Sequence, residues 1–333
     1  MPYYTVSLLE ELAECKGRQA MYTRQSPHRL EVLRESAVIE SAIASNRMEG
    51  VEIDRSRVDA VLRGKAALTD RNEEEVRNYQ QALGRIHGRE LDGSHEAQAV
   101  TLHRILRGTH WDAGAYKEKN NEIIEKLPGG GERIRFVPVP VAETPAAMTT
   151  WSERLTDLLR DRKAPALVCV AAASLDLLCI HPFRDGNGRL ARLLLLEGLY
   201  TTGFEAGRYV SLERLIEQSK DRYYETLESC SQDWHEGTHD AWPYINYILY
   251  TVRDLYRQFE ERLGEVKSPR GSKTQMVEDA VANMQGPFRL AELREACPSV
   301  SVDMVRKVVR RLQDEGQIAC EGRGHSATWR KIN

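Results

Sequence analysis

Cysteine is scarce in this chain of 333 residues, and it does not occur in pairs. The six cysteines include no Cys-x-x-Cys motif, and two of them, Cys169 and Cys179, lie within one apolar segment. Disulfide-rich secreted proteins and zinc sites place their cysteines at short, regular spacings. The sequence therefore predicts reduced thiols in a cytoplasmic protein, and it argues against a disulfide framework or a cysteine-based zinc site.

Long hydrophobic runs are also lacking. Residues 1–16 carry acidic side chains and have no apolar core of a signal peptide, and the longest apolar run, Leu167–Ile180, contains Ser174 and Asp176. That run is too short to cross a bilayer, so we expect no membrane partner. The net charge of −3 excludes a general attraction to nucleic acid, although residues 267–333 carry twelve Lys and Arg against eight Asp and Glu, a local charge of +4.

A dense polar turn stands between two apolar segments. The stretch His181-Pro-Phe-Arg-Asp-Gly-Asn-Gly-Arg-Leu-Ala-Arg192 follows the run Leu167–Ile180 and precedes a second run, Leu193–Tyr200. The apolar runs predict two buried helices, and a simple corner between them would need no His, Asp or pair of Arg. The alternative is a helical corner with solvated charges.

The residues that open the second helix are suited to a polyphosphate. Gly186, Asn187 and Gly188 stand at the helix start, where unpaired N–H groups and the helix dipole favour an anion. Arg189 and Arg192 are three residues apart and can lie along one side of the first turns. Two guanidinium groups beside such a backbone nest fit an extended polyphosphate better than a single carboxylate.

Two further side chains flank this phosphate site. Asp185 precedes the nest and could hold a Mg²⁺ ion that bridges two phosphates. His181 stands at the other end of the turn and can serve as a general base.

Every fixed position of this stretch matches His-Pro-Phe-x-Asp-Gly-Asn-Gly-Arg-x-x-Arg, and the sequence thereby resembles the Fic-domain family. The resemblance implies a nucleotidyl transfer, in which a hydroxyl of a target protein attacks the α-phosphate of ATP and pyrophosphate leaves. It assigns His181 as the base, Asp185 as the magnesium ligand and Arg192 as the γ-phosphate contact. A phosphorylating branch of the family carries Lys where this chain has Gly188, which argues against kinase activity.

A second segment, far from the motif, predicts regulation. Pro27 to Gly50 reads as a helix whose end is Ser45-Asn-Arg-Met-Glu49-Gly50, with Ser45 and Glu49 on one face. Spacing alone favours a solvated surface carboxylate. The pattern resembles the inhibitory helix of the family, whose glutamate pairs with the second arginine of the motif, here Arg192.

Two other segments resemble parts of the family's active site. The alternating run Arg133–Val137 reads as a β-hairpin flap over the site, or as an ordinary surface hairpin. Tyr223 and Tyr224 resemble paired tyrosines beside the nucleotide, the alternative being one core and one surface residue. Lys117 replaces the usual arginine, and Pro145-Ala146 replaces the usual pair of prolines.

The C-terminal region predicts a winged helix with two wing strands. Arg306, Lys307, Arg310 and Arg311 give its third helix a basic face, which leaves DNA and protein open as partners. The predicted segments are a helix at 274–284, a helix at 290–297, a helix from Ser301 to Gly316, and strands at 317–320 and 327–332.

These readings give one predicted architecture, which is mostly α. A Fic-type helical core carries a small β-hairpin flap, and a winged-helix domain follows it. The predicted domains are a helical region at 1–95 with an inhibitory helix at about 27–50, the catalytic core at 96–265, a linker at 266–272 and the winged helix at 273–333. Residues 1–26 are expected to form an extended or short helical arm, and 54–68 a helix.

The predicted function is ATP- and Mg²⁺-dependent adenylylation, restrained by Glu49 and Ser45. The acceptor is a Tyr, Ser or Thr hydroxyl of a target protein, with this chain itself as one candidate. The alternatives are a transcription regulator with a nucleotide-sensing core, and removal of AMP by the same site. The sequence leaves the oligomeric state open.

Overall fold

The computed structural model describes residues 1–23, 27–65, 67–126, 130–265, 272–284, 286–297, 300–322 and 327–332. These residues divide into two compact units, one of residues 1–20 and 30–261, the other of residues 21–29 and 262–333. None of their helices is long and apolar enough to cross a membrane. The predicted domain boundaries stay predictions, and most of the predicted linker, residues 266–271, lies outside the described residues.

The described residues of the first unit form helices and one hairpin, which confirms the predicted fold class. Its hairpin consists of strand β1 (Ile123–Lys126) and strand β2 (Glu132–Phe136). Its helices are α1 (Tyr3–Thr23), α2 (Pro27–Met48), α3 (Val58–Leu62), α4 (Arg71–Gly88), α5 (His95–Arg107), α6 (Thr144–Asp161), α7 (Ala166–Ile180), α8 (Asn187–Thr201), α9 (Leu212–Gln218), α10 (Lys220–Ser231) and α11 (Trp242–Glu265).

The two apolar segments around the motif form the centre of this unit. Helix α7 packs on α6 and α8, and α8 also packs on α4 and α5. A helix that is apolar on nearly all sides must be surrounded by others, and α7 has ten buried side chains among its fifteen residues. The motif loop is therefore held between two rigid helices.

The N-terminal arm is longer than expected. The prediction of an extended or short helical arm is wrong, because α1 runs for 21 residues. Leu8, Leu12 and Cys15 recur at helical spacing and are buried, and the Thr5 hydroxyl donates to Asn246 Oδ1 at 2.8 Å. Contacts with distant parts of the chain thus stabilise a helix whose own sequence signals are weak.

Of the helix predicted at 54–68, only the short helix α3 (Val58–Leu62) is present. The Asp54 carboxylate accepts from the Ser56 amide at 2.8 Å, which favours a turn before the helix. Gly64 then adopts φ +65°, a left-handed conformation that ends the helix soon after Leu62. Helix α5 begins after Ser94, whose hydroxyl caps its start, and Gly108 follows its end.

The second unit contains α12 (Ser272–Asn283), β3 (Phe288–Arg289), α13 (Leu290–Ala296), α14 (Val302–Asp314), β4 (Ile318–Glu321) and β5 (Thr328–Lys331). The predicted two-stranded wing is part of a three-stranded sheet of order β3-β5-β4, because Phe288–Arg289 also pairs with β5. Arg306, Lys307, Arg310 and Arg311 are all exposed on α14, and Arg311 also pairs with Glu278. The winged-helix assignment and DNA binding stay predictions.

Candidate active site

The motif loop is closed by its own asparagine. Helix α7 ends at His181 in a left-handed conformation, and Gly186, also left-handed, precedes α8. Asn187 Oδ1 accepts from the Phe183 amide at 3.0 Å, and its Nδ2 donates to the Phe183 carbonyl at 2.8 Å. The Asn187 side chain thus fixes the shape of the loop, and the role predicted for Gly186, Asn187 and Gly188 as an anion site stays a prediction.

A histidine of α5 supports the loop from behind. The His103 ring stacks on Phe183 with centroids 3.7 Å apart, and Phe183 is completely buried. His103 Nδ1 accepts from the Gly114 amide, so its Nε2 carries the proton and donates to the Asp185 carbonyl at 3.0 Å. Burial lowers the pKa of His103 to about 4, which keeps the ring neutral. No pattern in the sequence predicts this contact.

Lys117 holds the residues on either side of His181. Its amide donates to the Pro182 carbonyl at 2.9 Å, and its ammonium donates to the Ile180 carbonyl and to Asn121 Oδ1 at 3.3 and 3.0 Å. Burial lowers the pKa of Lys117 to about 8. The replacement of the family's arginine thus leaves a buried cation that fastens the loop through its backbone.

His181 is suited to act as a base. Its ring is largely buried and lines a cavity of about 390 Å³. Burial, together with the charge of Lys117, lowers the pKa of His181 to about 4. The imidazole is therefore neutral near pH 7 and able to take a proton.

The same cavity collects most of the predicted site residues. Helices α7, α8 and α10, the end of α2 and the β1–β2 hairpin all contribute to its wall, so segments far apart in the sequence meet here. Its lining includes Glu49, Ile123, Ile124, Arg135, Phe136, His181, Gly188, Arg192, Tyr223 and Tyr224.

Glu49 pairs with Arg192 inside this cavity, as the sequence predicts. Glu49 Oε1 accepts from Arg192 Nη2 at 2.7 Å. Arg192 also donates to the Ser45 hydroxyl at 2.8 Å and to the Ser45 carbonyl at 2.9 Å. Burial disfavours its charge, but Glu49 holds the pKa of Arg192 above its usual value. The inhibitory role of the pair stays a prediction.

Glu49 also lies against the start of α8. A Cβ built on Gly188 would collide with the Glu49 carboxylate and come within 3.4 Å of Arg192 Nη1. The absence of a side chain at Gly188 is what admits the carboxylate at the helix N-terminus, where an anion is favoured. Gly188 therefore leaves the space that the Glu49 carboxylate occupies beside the backbone N–H groups at the start of α8.

Arg189 is not brought to the cavity. The sequence predicts that Arg189 contacts the nucleotide. In the structure, its guanidinium pairs with Glu75 and donates to Asn46 Oδ1 at 3.1 Å. Both members of the Arg189–Glu75 pair are buried. A separation of three residues on a helix leaves about 60° between side chains, enough for one arginine to face the cavity and the other to face α4.

Asp185, predicted to bind magnesium, is surrounded by basic groups. Its Oδ2 accepts from Arg107 Nη1 at 2.6 Å, and its Oδ1 accepts from the Gly186 amide at 2.7 Å. Arg71 and Arg189 each lie 3.8 Å from the carboxylate. Burial would raise the pKa of Asp185, but Arg189 and Arg107 hold it below its usual range.

This arrangement does not fit a bound metal. Both carboxylate oxygens of Asp185 are engaged by N–H donors, and the nearby guanidinium groups repel a cation. Among the described residues, no group of three or more His, Cys, Asp or Glu could hold a metal ion. Arg107 also donates two hydrogen bonds to Asp112, at 3.1 and 3.2 Å. Its contact with the motif loop was not predicted from the sequence.

The two predicted tyrosines adjoin each other at the cavity wall. Tyr223 is buried, Tyr224 is half-buried, and their ring centroids are 5.3 Å apart. Arg135 of β2 donates to the Tyr224 carbonyl at 2.8 Å and pairs with Glu228 at 3.2 Å, which joins the hairpin to α10. Their role beside a nucleotide stays a prediction.

The family comparison coincides with this region. Residues 92–199 match the model of the Fic/DOC family. This part of the chain is therefore similar to the Fic/DOC family. Proteins of this family commonly transfer AMP or other nucleotide groups to proteins, and they use nucleoside triphosphates, generally with a divalent metal. No curated protein sequence matches the chain.

Solved structures show the same fold at low sequence identity. A Fic family protein from Desulfovibrio desulfuricans G20 has a TM-score of 0.64 and 22% identity, over 100% of this chain and 97% of that one. A Fic-domain-containing signalling protein from Bacteroides thetaiotaomicron has a TM-score of 0.63 and 18% identity, over 76% and 97%. Fic-1 of C. elegans has a TM-score of 0.59 and 19% identity, over 78% and 74%.

Proposed function

We propose that this protein transfers AMP from ATP to a hydroxyl group of a target protein, and that Glu49 restrains the reaction. One observation carries the proposal. The cavity that contains the neutral His181 also contains Arg192, and the guanidinium of Arg192 is bound to a carboxylate from outside the motif. A base, an anion site and a removable competitor for that site therefore occupy one pocket.

His181 would start the reaction by accepting the proton of the target hydroxyl. The oxygen then attacks the α-phosphorus, the bond from this phosphorus to the bridging oxygen breaks, and pyrophosphate leaves. The N-terminus of α8 stabilises phosphate charge through its backbone N–H groups. No step is assigned to a metal ion, because Asp185 as arranged here does not present a free carboxylate.

Arg192 would bind the γ-phosphate once Glu49 has left it. A carboxylate and a phosphate repel each other, and both need the same guanidinium donors. With Glu49 in place, ATP can still enter but its α-phosphate is turned away from the acceptor. Misplacement of this kind costs on the order of 100-fold in rate.

The β1–β2 hairpin would present the target. It is a two-stranded sheet, and Ile124, Ile134 and Val137 are exposed on it. An extended segment carrying Tyr, Ser or Thr can add to such an edge through backbone hydrogen bonds. This chain itself remains one candidate target.

The test compares ATP labelled at the α-phosphate with ATP labelled at the γ-phosphate, in a cell lysate containing the Glu49→Gly protein. We expect protein-bound label only from the α-labelled nucleotide, and about 100-fold less from the wild type. Label from the γ-phosphate would indicate a kinase. Nucleotide binding without any protein-bound label would favour the nucleotide-sensing regulator.

A further inference from the structure

Helix α2 and the turn that follows it carry three polar residues at four-residue spacing, Ser41, Ser45 and Glu49. Residues at this spacing lie on one face of a helix over successive turns. Ser45 and Glu49 contact Arg192 at the cavity. Ser41 lies two turns away from Glu49, and its hydroxyl donates to Glu213 Oε2 at 2.6 Å.

Glu213 is a carboxylate with no exposure to solvent. Its Oε1 accepts from the Tyr79 hydroxyl at 2.9 Å, and the Ser211 hydroxyl lies 3.4 Å from its Oε2. None of the described Lys, Arg or His side chains forms an ion pair with it. A buried carboxylate in this position depends on its hydroxyl donors.

Tyr79 connects this carboxylate to the Arg192 contacts. It is fully buried on α4, and its hydroxyl adjoins Ser45. Burial and Glu213 raise the pKa of Tyr79, so the phenol stays protonated and can donate. Ser41, Ser45, Tyr79 and Glu213 thus form one polar network, which joins α2 to α4 and α9.

Apart from the contact of Ser45 with Arg192, the polar network lies outside the catalytic cavity. Ser41, Tyr79 and Glu213 do not line that cavity, and they cannot touch a nucleotide bound there. We infer that Tyr79 and Glu213 are positioning residues that hold the last turns of α2 on the core and so set how readily Glu49 leaves Arg192. This inference rests on the inhibitory role proposed for Glu49.

The energetic argument is the cost of an unpaired acceptor. If the Tyr79 hydroxyl is removed, one oxygen of the buried carboxylate loses its donor while α2 is docked. Movement of α2 can admit water to that oxygen, so the change favours the state in which Glu49 is released. The network therefore opposes activation without contacting the substrate.

The first test measures hydrogen exchange of the wild type, Tyr79→Phe, Ser41→Ala and Tyr256→Phe. Tyr256→Phe is the matched control, because it removes a buried phenol that donates to Gln19 at 2.6 Å, away from α2. We expect faster amide exchange over residues 41–50 in the first two variants only. Unchanged exchange there in both variants would overturn the inference whether or not the protein transfers AMP.

The second test measures AMP transfer. Tyr79→Phe should raise it by about tenfold in the wild-type background and not at all in the Glu49→Gly background. A purely structural role would lower activity in both backgrounds, and that result would contradict the inference. If Glu49→Gly alone gives no gain, the proposed inhibition fails, while the exchange data still decide whether the network holds α2.

Discussion

The two arginines at the start of α8 have opposite environments. On one side, Arg189 pairs with Glu75, and the side chains are 2% and 7% exposed. On the other side, Arg192 pairs with Glu49, and the side chains are 2% and 32% exposed. The first pair is sealed against α4, whereas the second borders a cavity large enough for a ligand.

This difference separates a structural ion pair from an exchangeable one. A buried arginine keeps its charge only with a partner, and breaking such a pair by removing one member is costly. In the proposed function, Arg192 exchanges Glu49 for a phosphate, because both are anions that reach it from the cavity. Nothing can replace Glu75 in that way, so we expect Arg189 to support the loop rather than the chemistry.

The largest expected effect is on the rate of AMP transfer and concerns His181, the proposed base in the cavity that Arg192 borders. In the Glu49→Gly protein, His181→Ala should lower AMP transfer by roughly 10²–10⁴-fold, because no other group takes the proton of the acceptor hydroxyl. Nucleotide affinity, measured by calorimetry, should persist as the control. Undiminished labelling of the target by the double variant would remove His181 from the mechanism.

The next effect lies on the Arg189 side and concerns stability. Glu75→Ala should lower the free energy of unfolding by roughly 3–5 kcal/mol, because it leaves a buried guanidinium unpaired. Glu49→Ala should lower the free energy of unfolding by less, because Ser45 and water entering the cavity can still accept hydrogen bonds from Arg192. Urea denaturation of both variants checks this. Equal losses would mean that the two pairs do not differ in kind.

A smaller effect is expected at Asp185, which contacts arginines on both sides of the loop. Asp185→Ala should weaken nucleotide binding by roughly tenfold through loss of the loop contacts with Arg107 and Gly186. The loss should be the same with and without Mg²⁺. A loss seen only with Mg²⁺ would show that Arg107 gives way to the ion and that Asp185 is a metal ligand.

The smallest effect is a shift in pH dependence. His181 has a folded pKa of about 4, so transfer should stay constant as pH falls through 6.5 and decline only near pH 4. Because the folded-state pKa values of His181 and His103 are depressed, their stabilising contribution is present above pH 6.5 and is lost between about 6.5 and 4. A rate profile with an apparent pKa near 6.5 would contradict a buried base.

The sequence predicted the parts of the site that are encoded locally. The turn between α7 and α8 follows from the glycines between apolar runs. The pairing of Glu49 with Arg192 was predicted only through the resemblance to the Fic family, because spacing alone favours a surface carboxylate. The orientation of Arg189 could not be predicted, because helical spacing does not tell which face of α8 meets the cavity. That choice depends on Glu75 and Asn46, which are contributed by other helices.

The supporting contacts were the least predictable part. His103 and Arg107 look like ordinary helix residues in the sequence, and only the packing of α5 beside the motif gives them a role. The same holds for α1, whose buried face is stabilised by distant residues such as Asn246.

The most direct test of the account compares the affinities for ATP and ADP by calorimetry. If Glu49 occupies the place of the γ-phosphate on Arg192, the wild type should bind the two nucleotides about equally. Glu49→Gly should then bind ATP about tenfold or more tightly than ADP, and adding Arg192→Leu should remove the difference. The same ratio of ATP to ADP affinity in the wild type and in Glu49→Gly would contradict the claim that these two groups compete for Arg192.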